Sequence, residues 1–202
     1  QAAAFGKPIV FSVPSGNFGN LTGGLLAVKM GLPVHAFVAA TNINDVVPVY
    51  LRTNLFTPRD SARTISNAMD VGNPSNFVRM LDLYDQQTEK LKQDIVGYAF
   101  TDDETRAAMR HLYALSSYTL DPHGAIGFLG LQKYMHEHTS DVTGVFLETA
   151  HPAKFKEVVD QALGKPVEIP DVLQKFMLQT KQSVIMAAEF QAFKNYLLTT
   201  LQ

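Results

Sequence analysis

The sequence predicts an α/β fold, a largely parallel sheet flanked by helices. Apolar, β-branched runs alternate along the chain with segments of helical periodicity, the pattern of strands joined by crossover helices. The first two runs are separated by a single helix-length segment, which makes a βαβ unit with parallel strands and a right-handed crossover. The two most distinctive polar motifs, at residues 15–20 and 148–150, each follow an apolar run directly. In such folds ligands sit beyond the carboxyl ends of strands.

The elements follow in order. Pro8-Ile9-Val10-Phe11-Ser12-Val13 reads as a buried strand. Pro14, Ser15, Gly16 and Asn17 break it, and Leu21 to Met30 reads as a buried helix ending at Gly31. Residues 33–40 form the second strand. Residues 41–75 are rich in Asn, Pro, Thr, Ser and Asp and read as loop, with a short helix near Val46–Leu51. From Pro74, Phe77, Met80, Leu81, Tyr84, Leu91 and Ile95 recur at helical spacing, so one helix is expected there. Residues 96–100 form a short strand, and Thr101-Asp102-Asp103-Glu104 caps a helix with Ala107, Ala108, Leu112 and Leu115 on its apolar face. Asp121-Pro122 starts another helix, running towards His138. Residues 142–147 are the last strand, and a helix follows from Pro152. Residues 171–202 are expected to be helical, and residues 1–202 to form a single α/β domain.

Bulk properties exclude several classes of function. The chain has 202 residues, 46% hydrophobic and 18% charged, with a net charge of −2. That balance leaves no basic footprint for nucleic acid or for an anionic membrane surface. There is no cysteine, hence no disulfide framework or thiolate metal site. His136 and His138 lack a third ligand in view, so they read as a solvated helix end rather than a metal site. No apolar run reaches the length of a membrane span and no signal peptide is visible, so the expected location is the cytoplasm.

The turn after the first strand is the strongest chemical signal. A strand, a turn of small residues and a helix N-terminus bring unpaired backbone N–H groups and a favourable helix field to one point, which is how an anion is held. Gly16 and Gly19 carry no Cβ to keep a phosphate away. The pattern is neither Gly-x-x-x-x-Gly-Lys-Ser/Thr nor Gly-x-Gly-x-x-Gly, and an ordinary strand-to-helix turn explains it equally well.

Ser15-Gly16-Asn17-Phe18-Gly19 resembles the cofactor-phosphate loop of the threonine synthases, pyridoxal-phosphate enzymes of the tryptophan-synthase-β fold type (fold type II). Further stretches match that family in the same order: Ala39 to Asp45, Ser66 to Val71, Asp102 to Thr105, Asp121 to Ala125 and Glu148 to Phe155. The similarity runs from about residue 8 to about residue 170. It implies pyridoxal phosphate as cofactor. Gly16, Asn17, Phe18 and Gly19 would cradle its phosphate through their backbone, with the polar side chain of Asn20, where many members carry Asp. Thr149 would face the pyridine nitrogen, although its position also suits a helix N-cap ahead of Pro152. His123 reads first as part of a helix cap and second as a residue of the cofactor cleft, and His151 as a local cap. Asn42, Asn44 and Asp45 either border the site or build a turn.

The implied reaction converts O-phospho-L-homoserine and water to L-threonine and phosphate. A family member carries its Schiff-base lysine in a Phe-Lys-Asp-Phe-like setting, and none of the eleven lysines here has that context. The expectation is therefore the C-terminal part of an enzyme, an incomplete large domain that is inactive alone and self-associates through exposed sheet edge. Two alternatives stand beside it: a related fold-type II dehydratase, and a non-catalytic module binding a phosphorylated ligand or a partner.

Overall fold

Strand β1 (Ile9–Pro14) and strand β2 (Ala36–Thr41) are apolar on both faces, and β2 is buried at every position. Two-sided burial is what a parallel sheet covered by helices requires. The computed structural model, which describes residues 6–138 and 141–200, completes the sheet with β3 (Ile95–Ala99) and β4 (Thr143–Phe146). The order is β3-β2-β1-β4 and every pair is parallel, with Val10 beside Ala36 and Gly144, and Phe37 beside Ile95.

Helix α1 (Gly19–Lys29) links β1 to β2. Helices α2 (Val46–Thr53), α3 (Phe77–Asp82) and α4 (Thr88–Asp94) lie between β2 and β3. They cover one face of the sheet, where Val13, Phe37 and Ala39 pack with Leu21, Val47, Phe77 and Leu91. Helices α5 (Asp102–Ser116) and α6 (Pro122–Glu137) carry the chain to β4, and α6 covers the other face, with Ile126, Leu131 and Tyr134 against Val10, Val38 and Ala40. After β4, helix α7 (Lys156–Leu163) joins α5 and α6 through Val159 and Ala162.

The single helix expected from Pro74 to Ile95 is two helices. The chain turns at Asp85 and Gln86, both at positive φ, and Ile95 is already in β3. Tyr84 and Leu91 are seven residues apart, a spacing that one helix or two helices converging on one core can each satisfy. On α5 the capping box forms as read, Thr101 with Glu104. Its buried side is Thr105, Ala108 and Met109 with Leu112 packed beside them, whereas Ala107 and Leu115 are exposed.

The chain divides into two compact units at Glu168/Ile169. The second unit holds α8 (Asp171–Met177) and α9 (Phe190–Thr200), with irregular chain between them.

Chain direction creates a crevice. From β1 the chain moves outward through β2 to β3, then returns to β4 on the other side of β1. Helix α1 leaves β1 on one face, while the segment after β4 joins the helices of the opposite face. The carboxyl ends of β1 and β4 thus open between diverging connections, the topological switch point at which parallel sheets bind ligands.

Candidate functional site

Both motifs converge on that crevice. The end of β1 is anchored by the Ser15 N–H, which donates to the Ala40 carbonyl (2.8 Å), and by Ser15 Oγ, which donates to the Val13 carbonyl (2.9 Å). The turn then depends on Phe18, the residue before α1, whose backbone is left-handed (φ 61°, ψ 20°). A side chain in that region is strained by roughly 1–2 kcal/mol. Burial holds it there: the Phe18 ring is 3% exposed, packed in the core with Val13, Leu21 and Leu25. Its carbonyl accepts both the N–H (3.0 Å) and the hydroxyl (2.8 Å) of Thr22.

This geometry leaves the N–H groups of Gly16, Asn17, Phe18, Gly19 and Asn20 without a protein acceptor among the described residues. The Asn17 side chain is turned away. Its Oδ1 accepts the Ser75 N–H (2.6 Å), and Asn76 Nδ2 donates to the Asn17 carbonyl (2.9 Å). Asn17 therefore offers the crevice its backbone alone, while Asn20 is exposed and keeps its side chain free of hydrogen bonds among the described residues. At Gly16 a Cβ would lie 2.6 Å from the Met69 Cα, so only glycine admits this approach of the 3₁₀ turn Asn67–Met69 to the turn after β1.

Across the crevice, the Leu147 N–H donates to the Ser12 carbonyl (3.0 Å) and keeps the chain beside β1 up to Glu148 and Thr149. The N-cap of the following 3₁₀ turn (Pro152–Phe155) is His151, whose Nδ1 accepts the Ala153 N–H (3.1 Å). That leaves the exposed Thr149 hydroxyl with no hydrogen bond among the described residues. His123, on the first turn of α6, is 3% exposed. Its Nε2 takes the Ala68 N–H (3.3 Å) and its Nδ1 meets Asp121 Oδ1 (2.6 Å). Asp121 is fully buried and its Oδ1 also caps α6 by accepting the His123 N–H (2.8 Å). Glu148 Oε1 accepts the Asp121 N–H (3.0 Å).

Burial and the neighbouring Asp121 push the Glu148 carboxyl up to about 8. Burial also works against ionised Asp121, yet hydrogen bonds from His123 and Glu148 outweigh it and hold Asp121 below the usual range.

All six sequence-predicted residues, Gly16, Asn17, Phe18, Gly19, Asn20 and Thr149, line one cavity of about 210 Å³. Its other walls are Pro14, Ser15, Ala68, Met69 and His123. Asn42 and Asn44 instead build the neighbouring loop. Asn42 Nδ2 donates to Thr64 Oγ1 (2.9 Å) and Asp70 Oδ1 (2.9 Å), and the Ala62 N–H donates to Asn44 Oδ1 (2.7 Å). Asp45 pairs with Arg59 (2.5 Å). Sequence reasoning missed the contact of Asp121 with Glu148, because no spacing links residues from two elements that meet only in the fold.

The residues present fit a phosphate ester. Five unpaired N–H groups and a helix N-terminus suit a dianion, no carboxylate lines the cavity to repel it, and Thr149 supplies a neutral hydroxyl on the same cavity. Among the described residues no lysine lines the cavity, and no helix is long and apolar enough to cross a membrane.

The chain is similar to known proteins over nearly all its length. Residues 1–149 match the model of the family described as "Pyridoxal-phosphate dependent enzyme", and residues 124–197 match "Threonine synthase, C-terminal". Threonine synthase of Escherichia coli (strain K12) is 42% identical over 191 residues, covering 94% of this chain and 43% of the relative. Its class is also similar in structure: the E. coli crystal structure superposes with a TM-score of 0.82 at 40% identity, covering 97% of this chain and 44% of that one. The structure of PLP-bound threonine synthase from Brucella melitensis superposes with a TM-score of 0.83 at 27% identity, covering 95% and 46%. The chain thus spans less than half the length of the relatives it matches. With a family match over residues 1–149, and with unpaired N–H groups after β1 and a free threonine hydroxyl after β4 on one cavity, the chain belongs to the pyridoxal-phosphate-dependent enzymes, and the threonine synthases are its homologues.

Proposed function

We propose that this chain is the C-terminal part of a threonine synthase, an enzyme converting O-phospho-L-homoserine and water to L-threonine and phosphate. The observation that carries the reading is the row of unpaired N–H groups at residues 16–20 on the same cavity as Thr149. Bound pyridoxal phosphate supplies an electron sink that acidifies substrate hydrogens. The chain's own residues do the holding. The cradle would take the phosphate end, and the Thr149 hydroxyl would serve as the partner of the pyridine nitrogen. A neutral hydroxyl does not favour a protonated ring as a carboxylate would, so it sets a milder sink. Ala68 and Met69 shape the wall beside the cradle.

The lining holds no lysine among the described residues, and on this reading the Schiff-base lysine that the resemblance to the threonine synthases implies would come from outside this chain. The first prediction follows. The 202-residue chain binds pyridoxal phosphate, seen by a change in absorbance, yet borohydride reduction labels no single lysine stoichiometrically and O-phospho-L-homoserine releases no phosphate. Stoichiometric labelling of one lysine, or turnover, overturns the part-enzyme reading. Failure to bind overturns the cradle.

A further inference from the structure

We propose that Asp121 and Glu148 share one proton, and that this carboxyl pair is the positioning device that orients His123 and clasps the two walls of the cavity together. The inference rests on the cavity being the cofactor site proposed above.

Among the described residues, two buried side-chain polar atoms lack a hydrogen-bond partner, Asp121 Oδ2 and Glu148 Oε2. Two bare carboxylate oxygens in one buried place repel strongly, and a bridging proton converts that repulsion into a hydrogen bond. The backbone already brings the groups together, since the Asp121 N–H donates to Glu148 Oε1 (3.0 Å). Gly124 makes room: any Cβ there would occupy the place of the Glu148 carboxyl.

The consequences run outward. Asp121 Oδ1 accepts from His123 Nδ1 (2.6 Å), and Nε2 must then keep its lone pair to accept the Ala68 N–H (3.3 Å). His123 is held as the Nδ1–H tautomer. Ala68 precedes Met69, whose backbone abuts Gly16 of the cradle, and Glu148 precedes Thr149. One hydrogen-bonded chain thus ties the Thr149 wall, the start of α6 and the turn beside the cradle. The titratable groups facing the pair are His123 and the Tyr118 hydroxyl, which burial and the two carboxyls push up. Lys154 Nζ lies over the Phe155 ring (5.4 Å), which in turn packs on His123 (4.5 Å). Loss of the shared proton leaves two buried charges and opens the clasp.

The test uses the full 202-residue chain with ¹⁵N-labelled histidine, His123 being assigned through His123→Gln. Two-bond ¹H–¹⁵N spectra at pH 7 are expected to show His123 as the Nδ1–H tautomer. Pyridoxal phosphate affinity is then compared between the wild type and Glu148→Gln from pH 6.5 to 9.5. Glutamine donates to Asp121 Oδ2 at every pH, so it mimics the shared proton permanently. The wild-type-to-variant affinity ratio, which cancels the cofactor's own ionisation, is expected to fall about tenfold as pH rises past the Glu148 value of about 8, the loss of one buried hydrogen bond.

Thermal melting gives a readout independent of ligand. Glu148 has a folded value above its ordinary 4.5, so its stabilising contribution is complete below about 4.5 and is lost as pH rises to about 8. The melting temperature of the wild type relative to Glu148→Gln therefore declines across that window and levels above it. An Nε2–H or doubly protonated His123 at pH 7, or pH profiles that run parallel for the two proteins, would overturn the proposal. If neither protein binds pyridoxal phosphate, the cofactor reading fails while the histidine spectrum and the melts still decide the clasp.

Discussion

At Phe18 the turn between β1 and α1 is built by a compromise that a single residue displays. A left-handed backbone is unfavourable for phenylalanine, but burying its ring in the core more than offsets that strain. The result is a sharp entry into α1 that leaves the preceding amides unpaired. Gly16 has the complementary role of accepting a close backbone neighbour. Its substitution by alanine drives a Cβ into the Met69 main chain, which cannot swing aside as a flexible side chain would. Gly16→Ala is expected to destabilise by about 1–3 kcal/mol and to weaken pyridoxal phosphate binding at least tenfold. Chemical denaturation and absorbance titration measure the two effects. Unchanged affinity would show that the turn at Met69 is not part of the cradle. Gly16 and Phe18 were legible as a strand-to-helix turn because strand, turn and helix are consecutive in the chain. Nothing local announced that Met69 would be the neighbour.

Among the elements, α6 does most to position the site. Its N-terminus presents His123, and its middle lies unusually close to the sheet. Ser12 Oγ donates to the Gly127 carbonyl (2.7 Å), and a Cβ at Gly130 would lie 2.8 Å from both Ala40 Cβ and Ser12 Oγ. Two small residues on the strands and glycines on the helix let the backbones approach. Gly130→Val is therefore expected to overpack the interface and cost about 1–3 kcal/mol, measured as a lower urea midpoint at unchanged m-value. A neutral result would mean that α6 can lift from the sheet freely. The start of α6 was legible from Asp121-Pro122, and the cap forms as read. The break between α3 and α4 was not, because Asp85 and Gln86 adopt left-handed turns without a glycine or proline to mark them.

On the scale of the whole molecule, the order β3-β2-β1-β4 leaves β3 and β4 as open edges of a parallel sheet among the described residues. Parallel edges are ordinarily covered. The second unit also exposes large apolar side chains, among them Phe176, Met177, Leu178, Ile185 and Phe190. The chain is accordingly expected to associate with further copies of itself at micromolar concentration, read as a mass above 22.3 kDa by light scattering coupled to size exclusion. A sharp monomer peak across a hundredfold dilution series would refute this. The same strand order explains why residues as distant as Gly16 and Thr149 share one cavity: reversal of direction at β1 places the ends of β1 and β4 side by side.

What the sequence by itself determined was everything written in consecutive residues: the α/β class, the position of all four strands, the caps of α5 and α6, and the small-residue turn between β1 and α1. Local periodicity and turn chemistry depend on neighbours a few positions away, so they survive in a linear reading. The tertiary structure alone decided that His151 rather than Thr149 caps the turn after β4, that Asn42 and Asn44 brace a loop instead of lining the cavity, and that Asp121 meets Glu148. These outcomes depend on hydrogen bonds between groups 22 to 27 residues apart or on competition between adjacent caps, and such partners become neighbours only when burial closes the sheet between its helices.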